Sequence, residues 1–418
     1  MPLMTLRFLS SVWLSIVFVT ASCAANAAGE RWVGSWVSAQ QIVEPHNLPP
    51  PPGLGGHTLR QVIQPALGGS QARVVISNVF GDAPLTVAAV HLAQSAGASG
   101  IVPETDCALL FSGRPTVTIQ PGTSVLSDPA PFAVEAFQNL AVSIAVQDMP
   151  TQVTGHPGSR TTSYIVPGQQ VSASQLPDAV TVDRWYLLAR LEVLTDASAG
   201  AIVVIGDSIT DGRGSTTNQN DRWPNVLARR LHAHPATSRL AVLNQGIGGG
   251  RLLRDGLGPS ALARFDRDVL APPGVEALIV FIGVNDLGTA VGARANGQPA
   301  ATADDLIAGY QQLIRRAKSH GLKVIGATIT PFSGFEMYDT PESEADRQKV
   351  NEWIRTSGEY DAVIDFDAIA RDRENLARLS AAVDGGDRLH PSAEGYRIMA
   401  EAIDLGLFER LAPRPAVR

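Results

Sequence analysis

The sequence predicts two folds in one chain: an all-β sandwich of jelly-roll type over 29–195, then an α/β domain over 196–418 with five parallel strands wound on both faces. Three observations carry this expectation. A length of 418 residues suits about two domains of ordinary size. The first half holds short β-rich runs between turn residues and never sustains a 3.6-residue apolar period. The second half alternates short, wholly apolar runs with amphipathic helical patterns, as parallel strands covered on both faces require. Between them, at 195–200 (TDASAG), the composition turns small and polar, and the linker is expected there.

Composition narrows the functional classes. The chain is 44% hydrophobic and 17% charged, which excludes a disordered or fibrous protein. Its 33 Lys and Arg stand against 40 Asp and Glu, giving a net charge of −7 and no basic excess to hold nucleic acid. Arg7, the apolar stretch 8–19 and the small residues Ala25-Asn26-Ala27 read as a signal peptide over 1–27. That apolar core is shorter than the ~20 residues a membrane helix needs, and no later run is longer, so no membrane span is expected. The mature protein is expected to be secreted or periplasmic. A minor alternative anchors it by lipid on Cys23, against which Thr20 stands where such sites usually carry a Leu-like residue. After cleavage at Ala27, Cys107 is the sole cysteine, so no intramolecular disulfide is expected and Cys107 is read as a small core residue.

In chain order, strands are expected at 73–77 (RVVIS), 85–91 (LTVAAVH), 116–119 (TVTI), 140–146 (LAVSIAV) and 185–194. Gly-Asp, Pro-Gly and Asp-Pro clusters separate them. The run Pro49 to Pro52 breaks regular structure and reads as a surface loop. The parallel strands are expected at 201–205, 241–243, 277–282, 323–328 and 362–365. Helices are expected at 223–232, with Pro224 in the first turn, and at 303–319, 342–357 and 392–405. Sheets of this kind bind ligands at the carboxyl ends of their strands, so the residues just after each strand are the candidates for chemistry.

Four segments stand there. After the first parallel strand comes Gly206-Asp207-Ser208-Ile209-Thr210-Asp211-Gly212, where a serine on a strand-to-helix turn presents its hydroxyl and keeps its backbone N–H free as a donor. It is not the G-x-S-x-G elbow, since Thr210 occupies the second glycine position. After the second strand comes Asn244-Gln245-Gly246-Ile247-Gly248-Gly249-Gly250, in which a glycine N–H can approach a substrate oxygen closely. A dinucleotide fingerprint fails there because Arg251 replaces the last glycine. After the third strand, Gly283-Val284-Asn285-Asp286 places a carboxamide at the mouth of the sheet. Near the end, Asp387-Arg388-Leu389-His390-Pro391 precedes a helix, and three residues of separation on a turn let a carboxylate reach imidazole Nδ1 while Nε2 stays free. Each segment alone reads as readily as a turn or cap; their joint order, Ser, Gly, Asn, Asp-His, is what is informative.

In that order the sequence resembles the GDSL-type esterases, or SGNH hydrolases, from Ala201 to about Leu407, with all four motif blocks present. The resemblance implies a flavodoxin-like SGNH sheet. It implies Ser208 as nucleophile, His390 as general base and then acid, and Asp387 as the carboxylate that orients it. It further implies an oxyanion hole of the Ser208 N–H, the Gly249 N–H and the Asn285 side-chain amide, with Gly248 as the alternative to Gly249. Thr330-Pro331, 347–353 and Gly395-Tyr396 also resemble the family but read more simply as packing and turn residues. The preceding β domain resembles the accessory jelly-roll domain of some carbohydrate esterases.

The leading expectation is an exported serine esterase that forms an acyl-enzyme. Its substrate would be a short-chain, most simply acetyl, ester on a carbohydrate such as an acylated polysaccharide. The absence of a long apolar lid segment near the motifs points the same way, and no apolar wall for a long acyl chain is evident. A lipase or lysophospholipase of the same family is the alternative. From another class, the β domain suits a sugar-binding or surface-interaction protein with an inactive hydrolase domain. No cofactor is expected. No metal is expected either: His232 and His234 lie two apart and no His-Glu-x-x-His occurs.

Overall fold

The computed structural model describes residues 29–409, so the proposed signal segment and Cys23 lie outside the described residues. From Glu30 to Asp196 the chain forms antiparallel sheets. In one, Glu30–Val37, Leu188–Asp196, Gln71–Asn78 and Thr123–Leu126 lie side by side. In the larger one, Leu140–Asp148 runs between His57–Ile63 and Leu85–Gly97, and the sheet continues from His57–Ile63 to Ser163–Pro167 and Val180–Val182.

Leu140, Val142, Ile144 and Val146 face the main core, while Ala141 and Ala145 pack on the opposite face in small clusters with Ile101 and Val171. This strand is covered on both faces, which is why it reads as an apolar run interrupted only by Ser143. Arg60, wholly buried in the neighbouring strand, donates to Ser143 Oγ at 2.7 Å, Ser99 O at 2.6 Å and Ala173 O at 2.8 Å. Burial lowers its guanidinium to about 10. Several strands carry no clear sequence signal, among them Glu30–Val37, Ser163–Pro167 and His57–Ile63, the last because Arg60 and Gln61 stand in its middle. The run expected at 185–194 is broken at Leu187, whose φ is +63°, into Trp185–Tyr186 and Leu188–Asp196. Cys107 is half buried at a strand edge rather than enclosed.

The parallel sheet has the order Leu240–Gly246, Gly200–Gly206, Val275–Phe281, Lys323–Ala327, Ala362–Ile364. The strand order is therefore 2-1-3-4-5, and the chain changes direction across the sheet between its first and third strands, which opens a crevice at their carboxyl ends. Helices Trp223–Ala233, Ala303–Ser319, Pro341–Thr356 and Ala393–Glu401 flank the sheet. Ala303–Ser319 begins where expected because the Thr302 hydroxyl and the Asp305 carboxylate form a reciprocal cap. A further helix, Val284–Ala295, was not expected, since Gly288 and Gly292 weaken its helical signal. Gly288 is where it is because a Cβ there would run into the Tyr338 ring.

Only Ala197, Ser198 and Ala199 separate the last antiparallel strand from the first parallel one. The apolar core is continuous across that junction: Val33 and Trp36 belong to the same buried cluster as Leu243 and Val204. The Gly34 N–H also donates to Pro273 O at 2.9 Å.

Candidate active site

The site is assembled at the crevice between the first and third parallel strands. Strand Gly200–Gly206 ends in Asp207, whose carboxylate accepts from the Ile209 N–H at 3.0 Å and caps the one-turn helix Ser208–Asp211. Burial pushes the Asp207 carboxyl up to about 7, against the pull of that N–H. Ser208 is thereby fixed as the first residue of a turn, and its backbone N–H has no protein acceptor among the described residues.

Ser208 Oγ lies 2.8 Å from His390 Nε2, and His390 Nδ1 lies 2.7 Å from Asp387 Oδ2. The other Asp387 oxygen accepts from the Leu389 N–H at 3.0 Å and the His390 N–H at 2.8 Å, which locks the carboxylate against its own loop. Partial burial opposes ionisation of Asp387, but the His390 N–H and imidazole outweigh it and hold the carboxyl below its usual range. Burial lowers the His390 imidazole below its ordinary value, and contact with Asp387 only partly offsets this. His390 is therefore neutral at pH 7, with Nδ1–H donating to Asp387 and Nε2 open to accept from the serine hydroxyl.

Gly249 has φ +68°, a left-handed conformation that favours glycine, and neither its N–H nor that of Gly248 has a protein acceptor among the described residues. Asn285 sits in the first turn of Val284–Ala295; its Nδ2 donates to Gly250 O at 2.9 Å and its Oδ1 accepts from the Tyr338 hydroxyl at 2.9 Å. These two bonds fix the amide and leave the second Nδ2 hydrogen uncommitted. Asp286, next in sequence, accepts from the N–H groups of Leu252 and Leu253 at 2.7 and 3.0 Å and so ties down the loop after the glycines. Burial raises its carboxyl to about 6.

Ser208, Gly248, Gly249, Asn285, Asp387 and His390 line one cleft of about 460 Å³. The residues expected to form the triad and the oxyanion hole thus line one cavity. Sequence reasoning missed that the sandwich builds part of the wall, through Gln41, Glu44, Asn47, Pro157, Gly158 and Arg160. It also missed an apolar side, where Leu257, Phe335, Met337 and Tyr338 face the cleft, so the expectation that no apolar wall exists is corrected. Leu257 and Met337 are 53% and 67% exposed.

A second carboxylate–imidazole pair adjoins the nucleophile turn. His156 Nε2 is 2.8 Å from Asp211 Oδ1, its Nδ1 is 2.8 Å from Ala39 O, and its ring stacks on Trp185. Gly158 lies so close to Asp211 that a Cβ would collide with the carboxylate. Burial disfavours the charged form of Asp211, but His156, Arg160 and Arg222 outweigh this and hold its carboxyl below the usual range. Asp211 sits inside the Gly206–Gly212 block, which was the one available signal; His156 and Arg160 stand in short segments with no informative spacing.

Residues 204–398 match the model of the GDSL-like lipase/acylhydrolase family. No curated protein matches the chain. Among solved structures, a lipase/acylhydrolase from Enterococcus faecalis is 22% identical with a TM-score of 0.40, over 52% of this chain and 100% of that one. A GDSL-like lipase from Bacteroides thetaiotaomicron VPI-5482 is 19% identical with a TM-score of 0.37, over 50% and 89%. A variant of an acetyl xylan esterase from Geobacillus stearothermophilus is 24% identical with a TM-score of 0.38, over 53% and 99%.

Proposed function

From the premise that residues 204–398 belong to the GDSL-like lipase/acylhydrolase family, we propose that the protein is an exported serine esterase that removes short acyl groups, acetyl above all, from a carbohydrate. The observation that carries this reading is the unbroken hydrogen-bonded line from Ser208 Oγ through His390 to Asp387 on the wall of one cleft. Export is supported by Arg7, the apolar stretch 8–19 and the small residues up to Ala27.

In this mechanism Ser208 Oγ attacks the ester carbonyl carbon as its proton passes to His390 Nε2. Asp387 holds the ring in the productive tautomer and stabilises the imidazolium. Negative charge developing on the carbonyl oxygen is met by the N–H groups of Ser208 and Gly249 and by the Asn285 amide. Collapse of the tetrahedral intermediate breaks the bond to the alcohol oxygen, which takes the proton back from Nε2. Water then repeats the sequence on the acyl-serine: His390 removes its proton, the acid departs and the Ser208 hydroxyl is regenerated.

A lipase or lysophospholipase is the second reading, and the apolar residues Leu257, Phe335 and Met337 in the cleft favour it. The test is threefold. A fluorophosphonate probe should label wild type and not Ser208→Ala, and absence of labelling would leave the sugar-binding reading standing. Acetylated glycans and acyl esters of rising length should then be compared, with turnover greatest on the acetylated glycan. Activity confined to long-chain esters would favour the lipase.

A further inference from the structure

We infer that the alcohol half of the substrate lies in an extended polar subsite built by the N-terminal sandwich, running from Asn47 and Pro157 to Thr181–Arg184, and that this subsite takes a chain of sugar units. The inference rests on the esterase reading above and adds to it where, and in what form, the leaving group is held.

The first step concerns direction. His390 Nε2 must return its proton to the departing alcohol oxygen, so the alcohol lies on the imidazole side of Ser208 and the acyl group on the other. The apolar side chains cluster with the glycine loop and Asn285: Leu257 lies against Gly249, and the Tyr338 hydroxyl bonds Asn285. The imidazole side carries charged groups instead. Arg213 Nε is 4.0 Å from Asp387 Oδ2, and the charges of Arg213 and Arg160 both act on His390. The wall by the glycine loop thus carries most of the apolar side chains, with Gln41 donating to Leu257 O at 3.1 Å, and the wall by the imidazole carries Arg213 and Arg160 beside Leu389.

The second step concerns extent. Asn47 and Pro157 line the catalytic cleft and also a second open cavity of about 410 Å³, whose remaining walls are Thr181, Val182, Asp183 and Arg184. The two cavities therefore adjoin at Asn47 and Pro157, and the second extends from there along the sandwich residues Thr181 to Arg184. Nothing along the second cavity is aromatic or larger in aliphatic bulk than Val182, so it offers an acyl chain little apolar surface.

The third step concerns preorganisation. Asn47 Nδ2 donates to Glu44 Oε2 at 2.9 Å, its Oδ1 accepts from Arg184 Nε at 2.9 Å, and its carbonyl accepts from the Tyr186 hydroxyl at 2.9 Å. Asp183 accepts from the Thr162 hydroxyl at 2.9 Å. The polar groups of the groove are held in place before a ligand arrives, and the Arg184 guanidinium has more N–H donors than these bonds consume. Polar groups held in place beside an open groove suit the hydroxyls of an oligosaccharide.

The test uses the full-length mature chain, with acetylated xylo-oligosaccharides from dimer to hexamer and 4-nitrophenyl acetate as probes. Wild-type kcat/KM should rise at least tenfold from dimer to hexamer, chiefly through KM. In Asp183→Ala and Arg184→Ala that gain should fall below threefold. Thr181→Tyr, a change at an exposed position that fills the groove, should abolish it in a protein whose thermal midpoint is unchanged. A wild-type kcat/KM that is flat with chain length, or a gain retained in all three variants, overturns the subsite while leaving the esterase reading intact. Hydrolysis of 4-nitrophenyl acetate with no hydrolysis of any acetylated oligosaccharide overturns the carbohydrate reading, and the subsite with it.

Discussion

His156 Nε2 lies 2.8 Å from Asp211 Oδ1, which joins a buried side chain of the sandwich to the single helical turn that begins with the candidate nucleophile. His156 Nδ1 lies 2.8 Å from the Ala39 carbonyl oxygen, so both ring nitrogens have an oxygen partner and the ring is held at two points. Arg222, whose Nε donates to Asp211 O at 2.8 Å, holds the same turn from the other side and also donates to Ser159 O.

The first prediction follows from that pair. His156→Ala leaves a buried carboxylate without its main partner, and removal of one member of such a pair costs about 3–5 kcal/mol. The variant should show a clear loss of denaturation midpoint together with reduced turnover. Combining it with Asp211→Ala should cost less than the sum of the two single changes, because the orphaned charge is gone. Additive losses in a double-mutant cycle would mean that the two side chains do not act on each other.

Ser208→Ala and His390→Ala should each lower ester hydrolysis by several orders of magnitude in proteins with wild-type circular dichroism, since the two act as one unit. Asp387→Asn should lose less, because serine and imidazole remain in contact and only the tautomer and orientation suffer. A folded Ser208→Ala variant with near-normal turnover would remove Ser208 from the role of nucleophile.

The pH profile tests the same assembly by another route. The base must be neutral to accept the serine proton, and burial places the His390 imidazole below its ordinary value. The acid limb of kcat/KM should accordingly lie below pH 6.5. Arg213 is one of the charges that lower it, so Arg213→Ala should move the limb towards higher pH. Asp387 raises it, so Asp387→Asn should move the residual activity's limb the other way. Limbs that shift in the same direction in both variants would show that another group governs the profile.

Much of the catalytic constellation is legible in the sequence because each candidate stands shortly after a largely apolar strand or shortly before a helix, so its place in the fold follows from the pattern around it. Ser208 after Gly200–Gly206 and Asn285 after Val275–Phe281 are of this kind. Strand His57–Ile63 was hidden because the polar middle of the strand, Arg60 and Gln61, is satisfied by partners remote in sequence. Gln61 bonds Tyr186 in both directions, and Arg60 reaches Ser99 and Ala173. The sandwich's share of the cleft was hidden for the same reason. Asn47, His156 and Arg160 gain meaning only from the tertiary contact that brings them beside Ser208, and a local pattern carries no trace of that contact.

Asn285→Ala should act mainly on kcat, by about 10²–10³-fold, if the amide hydrogen left over from its bond to Gly250 O meets the oxyanion. KM should change little, since the ground-state carbonyl oxygen gains less from that donor than the charged one does. Tyr338→Phe frees Asn285 Oδ1 from the Tyr338 hydroxyl and should give a smaller loss of the same kind. A change confined to KM would assign Asn285 to substrate binding.

The last prediction concerns acyl length. A methylene that is fully buried contributes about 0.8 kcal/mol, or about fourfold in kcat/KM, whereas one laid against a half-exposed side chain gains only part of this. Leu257 and Met337 are 53% and 67% exposed, so they cover an acyl chain on one face and leave the other in water. Specificity should therefore be highest for acetyl to butyryl esters and should not climb beyond them. Leu257→Ala should lower butyryl turnover more than acetyl turnover, because only the longer chain reaches the apolar side of the cleft. The measurement is kcat/KM for a 4-nitrophenyl ester series from two to twelve carbons. A rise of about fourfold per methylene sustained through the series would mean that the cleft closes over the chain, and would move the assignment from a carbohydrate esterase to a lipase.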